Sequence, residues 1–212
     1  MSVGIDPTLF SDSAELRDCY AEPRETVKRK VMHRIDEHAR RFIELSPFCC
    51  IGTADADGRQ DVSPRGDIPG FIRVLDEQRL FLPDRPGNNR LDSMQNLLQN
   101  PHIGMIFFIP GFFDTLRVNG TAVVAAPAEL LEASAVEGKL PKAGLIVHAD
   151  EVFVHCGRAV KRGRLWDPDA QHDRSTLPRI GEVLRDQLAP VADEIGEGMN
   201  KLGDESYMER LY

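Results

Sequence analysis

The stretch Leu80-Phe81-Leu82-Pro83-Asp84-Arg85-Pro86-Gly87-Asn88-Asn89-Arg90 joins an apolar, strand-like run to a polar turn that carries two arginines. Proline, glycine and asparagine are the residues that tight turns favour. An amphipathic helix is predicted directly after the turn, over residues 90–99. Because helix N-termini and guanidinium groups both attract phosphate, this stretch predicts an anion-binding turn between a strand and a helix.

Short strand-like runs joined by tight turns lie on both sides of this stretch. Phe48–Ala54 leads through the turn 55–58, where Asp-Gly supplies the positive φ of a hairpin, into a return strand over 60–63. The alternation of apolar and polar residues predicts further strands over 71–75, 79–82, 103–109, 115–125 and 145–154. Helical spacing predicts helices over 35–45 and 177–189. The pattern indicates a mainly β, antiparallel barrel with flanking helices.

The length of 212 residues favours one domain with short extensions. We expect an N-terminal arm over residues 1–30 and a barrel over 31–170. The remaining residues, 171–212, are predicted to form a helical extension that packs on the same domain.

Composition excludes several classes of function. The formal net charge of −8 argues against a nonspecific nucleic-acid binder, which would need an excess of basic residues. No apolar run reaches the roughly 18 residues of a membrane span. The first residues lack the basic and apolar regions of a secretion signal, so we expect a cytoplasmic protein. The six histidines show no H-E-x-x-H or similar spacing, so no metal site is predicted.

The four cysteines, Cys19, Cys49, Cys50 and Cys156, contain no C-x-x-C pair. Free cysteines are usually buried, so we expect packed, reduced thiols. Cys49 and Cys50 are adjacent in a predicted strand, and their side chains should therefore point to opposite faces of the sheet.

Five segments, spread over about residues 36–168, form a pattern through their order and spacing. They are Asp61–Asp67, Gly87–Arg90, Asn100–Phe108, Arg117–Gly120 and Arg164–Trp166. They resemble the Arg-bearing strand, the phosphate-binding Ser-Arg-Lys, the Asn-Pro strand, the Arg-Val-x-Gly strand and the C-terminal Arg/Trp element of one family. That family is the FMN-binding split barrels of the pyridoxamine 5′-phosphate oxidase superfamily, and the resemblance implies a six-stranded type of antiparallel split barrel.

The chain also departs from the true pyridoxamine phosphate oxidases. Their phosphate motif has two adjacent cations, where this chain has Asn89-Arg90, and their Tyr-Thr after the preceding strand is here Leu82-Pro83. Their C-terminal Arg-x-His pattern is absent. The resemblance is therefore to the broader group of FMN-dependent relatives, and it implies FMN binding more directly than oxidation of pyridoxamine phosphate.

The resemblance implies cofactor contacts around the phosphate and the flavin ring. Arg90 is expected to bind the phosphate, the alternative being a solvated Arg in a first helical turn. Asn88 and Asn89 would donate to the phosphate or cap the helix, and Arg85 would be a weaker second cation or a surface residue. Arg65 would reach the flavin or its phosphate, the alternative being a surface Arg. The cofactor-binding candidates in these segments are Arg65, Gly66, Asp67, Pro83, Asn88, Asn89 and Arg90.

Four further candidates come from the later segments. Thr115 would hydrogen-bond the flavin ring, and Arg117 would lie at the cofactor or form a salt bridge within its strand. Trp166 would cover the flavin or substrate, the alternative being a core Trp. Arg164 is the member of the basic stretch 158–164 expected to bind an anionic substrate or the flavin; a solvated helix face is the alternative for that stretch.

The resemblance further implies a homodimer with FMN in the groove between its subunits. We expect an FMN-dependent oxidoreductase that acts on a small, anionic or aromatic substrate. No catalytic residue is assigned, because hydride transfer at the flavin needs no protein acid or base. Two alternatives stay open: a non-catalytic flavin- or haem-binding split barrel, in which His102 or His148 would matter, and a reductase that uses the deazaflavin F420.

Overall fold

The computed structural model describes residues 12–188. Seven antiparallel strands form one sheet, in the order β2-β1-β5-β6-β7-β4-β3. The strands are β1 (Phe48–Ala54), β2 (Gln60–Gly66), β3 (Arg73–Val74), β4 (Arg79–Pro83), β5 (His102–Phe108), β6 (Thr115–Ala125) and β7 (Gly144–His155).

Helices flank the sheet and connect its strands. They are α1 (Ser13–Asp18), α2 (Glu25–Arg29), α3 (Glu37–Leu45), α4 (Asp92–Gln99), α5 (Ala128–Ala133), α6 (Arg158–Arg162) and α7 (Ile180–Leu188). Short 3₁₀ turns cover Pro168–Ala170 and Arg174–Thr176.

The hydrophobic core lies on one face of the sheet because residues alternate along its strands. In β1 and β5, Ile51 and Met105 are paired neighbours and are both buried. Helix α3 packs Ala39 and Ile43 into the same core. Its start is set by Asp36, whose carboxylate accepts a hydrogen bond of 2.8 Å from the backbone N–H of Ala39, as an N-cap residue does.

The mainly β, antiparallel split-barrel fold with flanking helices is confirmed. The sheet has a seventh strand beyond the six-stranded type, the two-residue β3. The predicted strand over 71–75 is wrong in length: Phe71 and Ile72 are buried core residues outside the ladder, just after a turn in which Gly70 has a φ of 86°. The predicted arm, barrel and extension stay predictions, and residues 1–11 and 189–212 lie outside the described residues.

The connection between β6 and β7, residues 126–143, was not predicted to contain a helix. It includes α5 and is called the α5 segment below. Two arginines bind the carbonyls at the end of this helix: Arg73 donates to Ala133 O at 3.0 Å, and Arg85 donates to Ser134 O at 2.8 Å. Cations are favourable there because they oppose the negative end of the helix dipole. The α5 segment is thereby fixed to the sheet.

The cysteines differ in exposure. Cys49 is buried and Cys50 is half-buried on the opposite face of β1, as predicted. Cys19 and Cys156 are exposed, so the expectation of packed thiols is wrong for these two. None of the helices within residues 12–188 combines the length and the apolarity needed to cross a bilayer.

Candidate functional site

A cavity of about 670 Å³ lies where the ends of β2 and β4 meet the start of α4 and the α5 segment. Its volume is in the range of small-molecule and cofactor sites. Six of the predicted cofactor-binding residues line it: Arg65, Gly66, Pro83, Asn88, Asn89 and Arg90. Further lining residues not assigned from the sequence include Phe71, Asp84, Met94, Leu140, Pro141 and Lys142.

The turn before α4 has an unusual backbone. Asn89 and Leu91 have φ values of 58° and 60°, and Leu91 is the N-cap of α4. Leu91 has no side chain that could cap the helix, and Asn88 Oδ1 accepts instead from the backbone N–H of Arg90, at 3.0 Å. The predicted capping by Asn88 or Asn89 is therefore wrong. The helix starts two residues later than predicted. Leu91 and Asp92, at its start, line the cavity, and its first N–H groups have no side-chain cap.

Arg90 is an exposed cation at the rim of the cavity. Its Nε donates to Asp92 at 2.6 Å, and this interaction raises the pKa of Arg90 above its ordinary value. Within the described residues the other guanidinium nitrogens make no hydrogen bond. Arg90 is thus oriented by Asp92 and keeps its terminal donors for a ligand.

Arg65 is held from the protein side by hydroxyl and carbonyl oxygens. Its guanidinium donates to Ser63 Oγ, to Pro64 O at 2.9 Å and to Ser93 Oγ at 3.2 Å. Ser93 is buried and donates in turn to Asp61, at 2.6 Å. Among the described residues no carboxylate lies within 4.0 Å of Arg65. The arrangement orients the guanidinium while leaving its positive charge without a direct counterion.

Arg85 and Asp67 form a buried ion pair beside the cavity. Arg85 Nε lies 2.5 Å from Asp67 Oδ2, and the two side chains are 15% and 0% exposed. Arg85 also binds Ser134 O at the end of α5. The pair therefore ties the end of β2 to the turn and to the α5 segment. Asp67 itself does not line the cavity. Arg85 does line it, and its expected role as a second phosphate cation stays a prediction beside this structural one.

Asp84, Asp92 and Lys142 are the charged lining residues that were not predicted from the sequence. Burial raises the pKa of Asp84 above its ordinary value, and the charges of Arg65, Arg85 and Lys142 act in the opposite direction. Asp84 could have been found as the polar residue that directly follows a buried strand. No local signal marks Lys142, because it reaches the cavity on the α5 segment.

Two predicted residues on β6 do not line the cavity. Thr115 is buried, and its Oγ1 has no hydrogen-bond partner among the described residues. Arg117 lies over the ring of Phe153, 5.2 Å from its centroid, in place of the salt bridge considered above. Burial and then the charges of Arg117 and Lys30 lower the pKa of His155, so these two cations lie near His155.

The C-terminal Arg/Trp element packs near the same end of the sheet. Trp166 Nε1 donates to Phe112 O at 2.7 Å, and the ring is half-buried. Arg164 is exposed, has a φ of 51° and pairs with Asp167 at 2.8 Å. A Cβ at Gly157 would lie 2.5 Å from Phe113 Cβ, so this close approach requires glycine.

A second cavity of about 590 Å³ lies beside the end of β1 and the start of β5. Asn119 Nδ2 donates there to Glu151 Oε2 at 2.9 Å, and His102 lies at its rim. Over residues 12–188, no three His, Cys, Asp or Glu side chains come together as metal ligands would.

Comparison with known proteins gives one family and several similar folds. HupZ of Group A Streptococcus is 20% identical over 57% of this chain and 93% of its own, with a TM-score of 0.46. HutZ, the heme storage protein of Vibrio cholerae, is 15% identical over 58% and 94%, with a TM-score of 0.41. An FMN-binding protein of Syntrophomonas wolfei is 12% identical over 56% and 84%, with a TM-score of 0.40.

At these sequence identities, the comparison concerns the fold alone and assigns no ligand to this chain. No curated protein matches the chain in sequence. The family model of pyridoxamine 5′-phosphate oxidase matches residues 35–156, which include all seven strands and the cavity turn. Because the match covers more than half of the sequence, the chain belongs to the pyridoxamine 5′-phosphate oxidase family.

Proposed function

We propose that this protein is an FMN-dependent oxidoreductase that binds the FMN phosphate at the turn before α4. The observation that carries the proposal is the convergence of three anion-binding features on one cavity. These are the uncapped start of α4, the guanidinium of Arg90 and the guanidinium of Arg65. Each is a recognised phosphate ligand, and together they supply both amide and guanidinium donors.

The charges of these groups suit a dianionic phosphate. Arg90 is exposed, and only its Nε is bound by its internal partner, Asp92. Arg65 is oriented by Ser93 without a direct counterion. A bound phosphate would supply that counterion, so its binding would not have to break an existing ion pair. This is the main physical reason to place the phosphate here.

The apolar lining supports a ring system next to the phosphate. Phe71, Met94 and Leu140 contribute apolar surface to the same cavity. When bound, FMN would supply hydride transfer at its flavin ring. The chain's own residues would anchor the phosphate, orient the ring and exclude water from one side of it.

A second copy of the chain would complete the site. Thr115, Arg117, Arg164 and Trp166 do not line the cavity of one protomer. Thr115 Oγ1 is buried and without a partner among the described residues, which is costly unless a ligand or a second chain satisfies it. We therefore propose a homodimer in which the start of β6 in one protomer faces the ring of the FMN that the other protomer binds.

The haem and F420 alternatives make different demands. Haem requires an axial ligand, and the described lining of the cavity offers Met94 for this role but no His, Cys or Tyr. F420 has a deazaflavin ring and would occupy the same apolar region of the cavity. An experiment is therefore needed to distinguish binding of F420 from binding of FMN. Oxidation of reduced F420 without FMN retention would support that alternative.

The phosphate site is tested by equilibrium titration with FMN, followed by quenching of flavin fluorescence. We expect Arg65→Gln and Arg90→Gln each to weaken binding by about tenfold or more, because each removes a charged hydrogen-bond donor. Arg41→Gln is the matched control: Arg41 is exposed on α3 and pairs only loosely with Glu44, at 3.6 Å. Unchanged affinity in both site variants would contradict the assignment.

The shared site is tested by mixing two defective chains. One carries Arg65→Gln and Arg90→Gln, and the other carries Thr115→Val and Arg117→Gln. A mixed dimer would contain one site with both halves intact and one with both halves altered. We expect about one FMN per mixed dimer and little in either parent dimer. No recovery of binding in the mixed dimer would exclude a site built from two chains.

A further inference from the structure

The cavity contains a carboxylate where an anion is expected to bind. Asp84 directly follows β4, and its backbone is fixed in two ways. Pro83 pairs with Gly144 of β7, and the N–H of Asp84 donates to Ala143 O at 3.0 Å. Its side chain is half-buried and lines the cavity. The position of the carboxylate is therefore set by the sheet rather than by a mobile loop.

This carboxylate has no direct partner in the described part of the chain: it makes no side-chain hydrogen bond and no ion pair within 4.0 Å. Three cations, Arg65, Arg85 and Lys142, act on it from a greater distance. Arg85 is already bound to Asp67, and Arg65 to Ser93. The nearby cations thus offset its charge in part but leave its oxygen lone pairs unsatisfied by protein.

An ionised carboxylate beside a phosphate site would oppose the phosphate by like-charge repulsion. It favours binding only if the ligand brings hydrogen-bond donors close to its phosphate. Hydroxyl groups on the carbon chain of a phosphate ester are such donors, and a hydrogen bond to a charged acceptor is among the stronger ones. A plain anion without hydroxyl groups gains nothing from this residue.

We propose that Asp84 accepts a hydrogen bond from a hydroxyl group of the ligand's carbon chain, and so selects phosphate esters of polyols over other anions. The inference rests on the proposed function, in which the polyol is the ribityl chain of FMN. Arg90 and Arg65 then recognise the phosphate, and Asp84 recognises the chain that carries it. It also accounts for a half-buried carboxylate in a cavity otherwise suited to anions.

The test uses the full chain and three flavins that differ in one group each: FMN, riboflavin, which lacks the phosphate, and lumiflavin, which lacks the ribityl hydroxyls. Affinities are measured by fluorescence quenching for wild type, Asp84→Ala and Asp84→Asn. We expect Asp84→Ala to reduce the preference for riboflavin over lumiflavin by about tenfold or more. Asp84→Asn keeps an acceptor oxygen and should retain part of that preference. Asp57→Ala, at an exposed hairpin position, is the matched control.

The outcomes separate the two proposals. In one outcome, wild type binds FMN, and Asp84→Ala weakens the binding of riboflavin and lumiflavin equally or leaves both unchanged. The proposed role of Asp84 is then wrong, and the FMN site stands. If wild type binds none of the three flavins, the proposed function fails and this inference with it. Thermal unfolding shows whether each variant is folded. If Asp84→Ala is not folded, Asp84→Asn is compared with wild type in the flavin titrations instead.

Discussion

Removal of Asp67 tests whether the buried ion pair beside the cavity holds this region together. In Asp67→Ala, Arg85 would keep its charge at a position where its side chain is only 15% exposed. It would retain its hydrogen bond to Ser134 O but lose the carboxylate 2.5 Å away. The variant therefore leaves a nearly buried guanidinium without the carboxylate that it contacts.

The expected cost follows from the burial of both partners. Breaking a buried ion pair by removing one partner costs about 3–5 kcal/mol, because the remaining charge is uncompensated. For a chain of this size, a loss of 1 kcal/mol lowers Tm by about 2–4 °C, so a fall of roughly 6–20 °C is expected. Replacing both partners with apolar residues removes the stranded charge, and Asp67→Ala with Arg85→Met should recover part of the loss.

Thermal unfolding followed by circular dichroism measures these differences. Glu44→Ala is the matched control, because the Arg41–Glu44 pair is exposed and 3.6 Å apart. Exposed pairs contribute about 0–1 kcal/mol, so its Tm should change little. A Tm for Asp67→Ala as high as that of Glu44→Ala would refute the reasoning, as would a double variant less stable than Asp67→Ala.

Three further predictions concern the cavity turn, the thiols and Asp84. Leu91→Gly should raise stability by up to about 1 kcal/mol in chemical denaturation, because Leu91 has a φ of 60° that glycine adopts without strain; a loss of stability would contradict this. Native protein should react with a thiol reagent rapidly at Cys19 and Cys156 and not at Cys49, which is buried and whose pKa is raised to about 12; rapid labelling of Cys49 in peptide mapping would be inconsistent with the structure. Folding raises the pKa of Asp84 above 3.8, so its ionisation opposes folding at neutral pH; Asp84→Asn should have a higher Tm than wild type at pH 7, and the difference should shrink as the pH falls toward 3.8. A difference in Tm between Asp84→Asn and wild type that grows as the pH falls would contradict this reasoning.

The predicted gain in stability on losing Asp84 also bears on function. A residue that lowers stability where it stands, yet lines a ligand cavity, is a common feature of binding sites. The stability measurement and the flavin series therefore test the same residue in independent ways.

The elements with strong periodicity could be predicted from the sequence. Phe48–Ala54 and Thr115–Ala125 have the predicted bounds, because alternating burial across a half-buried sheet leaves a clear pattern. The segment around Phe71 and Ile72 was assigned to a strand because a short apolar run does not distinguish a strand from a buried connection. Helix α5 was missed because it is only six residues long.

The functional site could likewise be predicted only in part. Arg65 and the turn Gly87–Arg90 do meet at one cavity, since short-range turn chemistry is readable in sequence. Lys142 and the Arg85–Asp67 pair could not be predicted, because they depend on how residues far apart in the chain pack together. The ion pair joins positions 18 residues apart, and Arg85 reaches Ser134 across 49.

The central claim is that this chain binds FMN, and it is tested most directly by the visible absorption spectrum of the freshly purified protein, before and after dialysis against added FMN. The account predicts the two visible bands of an oxidised flavin, retained through gel filtration at about one FMN per chain. A protein that stays colourless after exposure to FMN, or that shows the Soret band of haem instead, would contradict it.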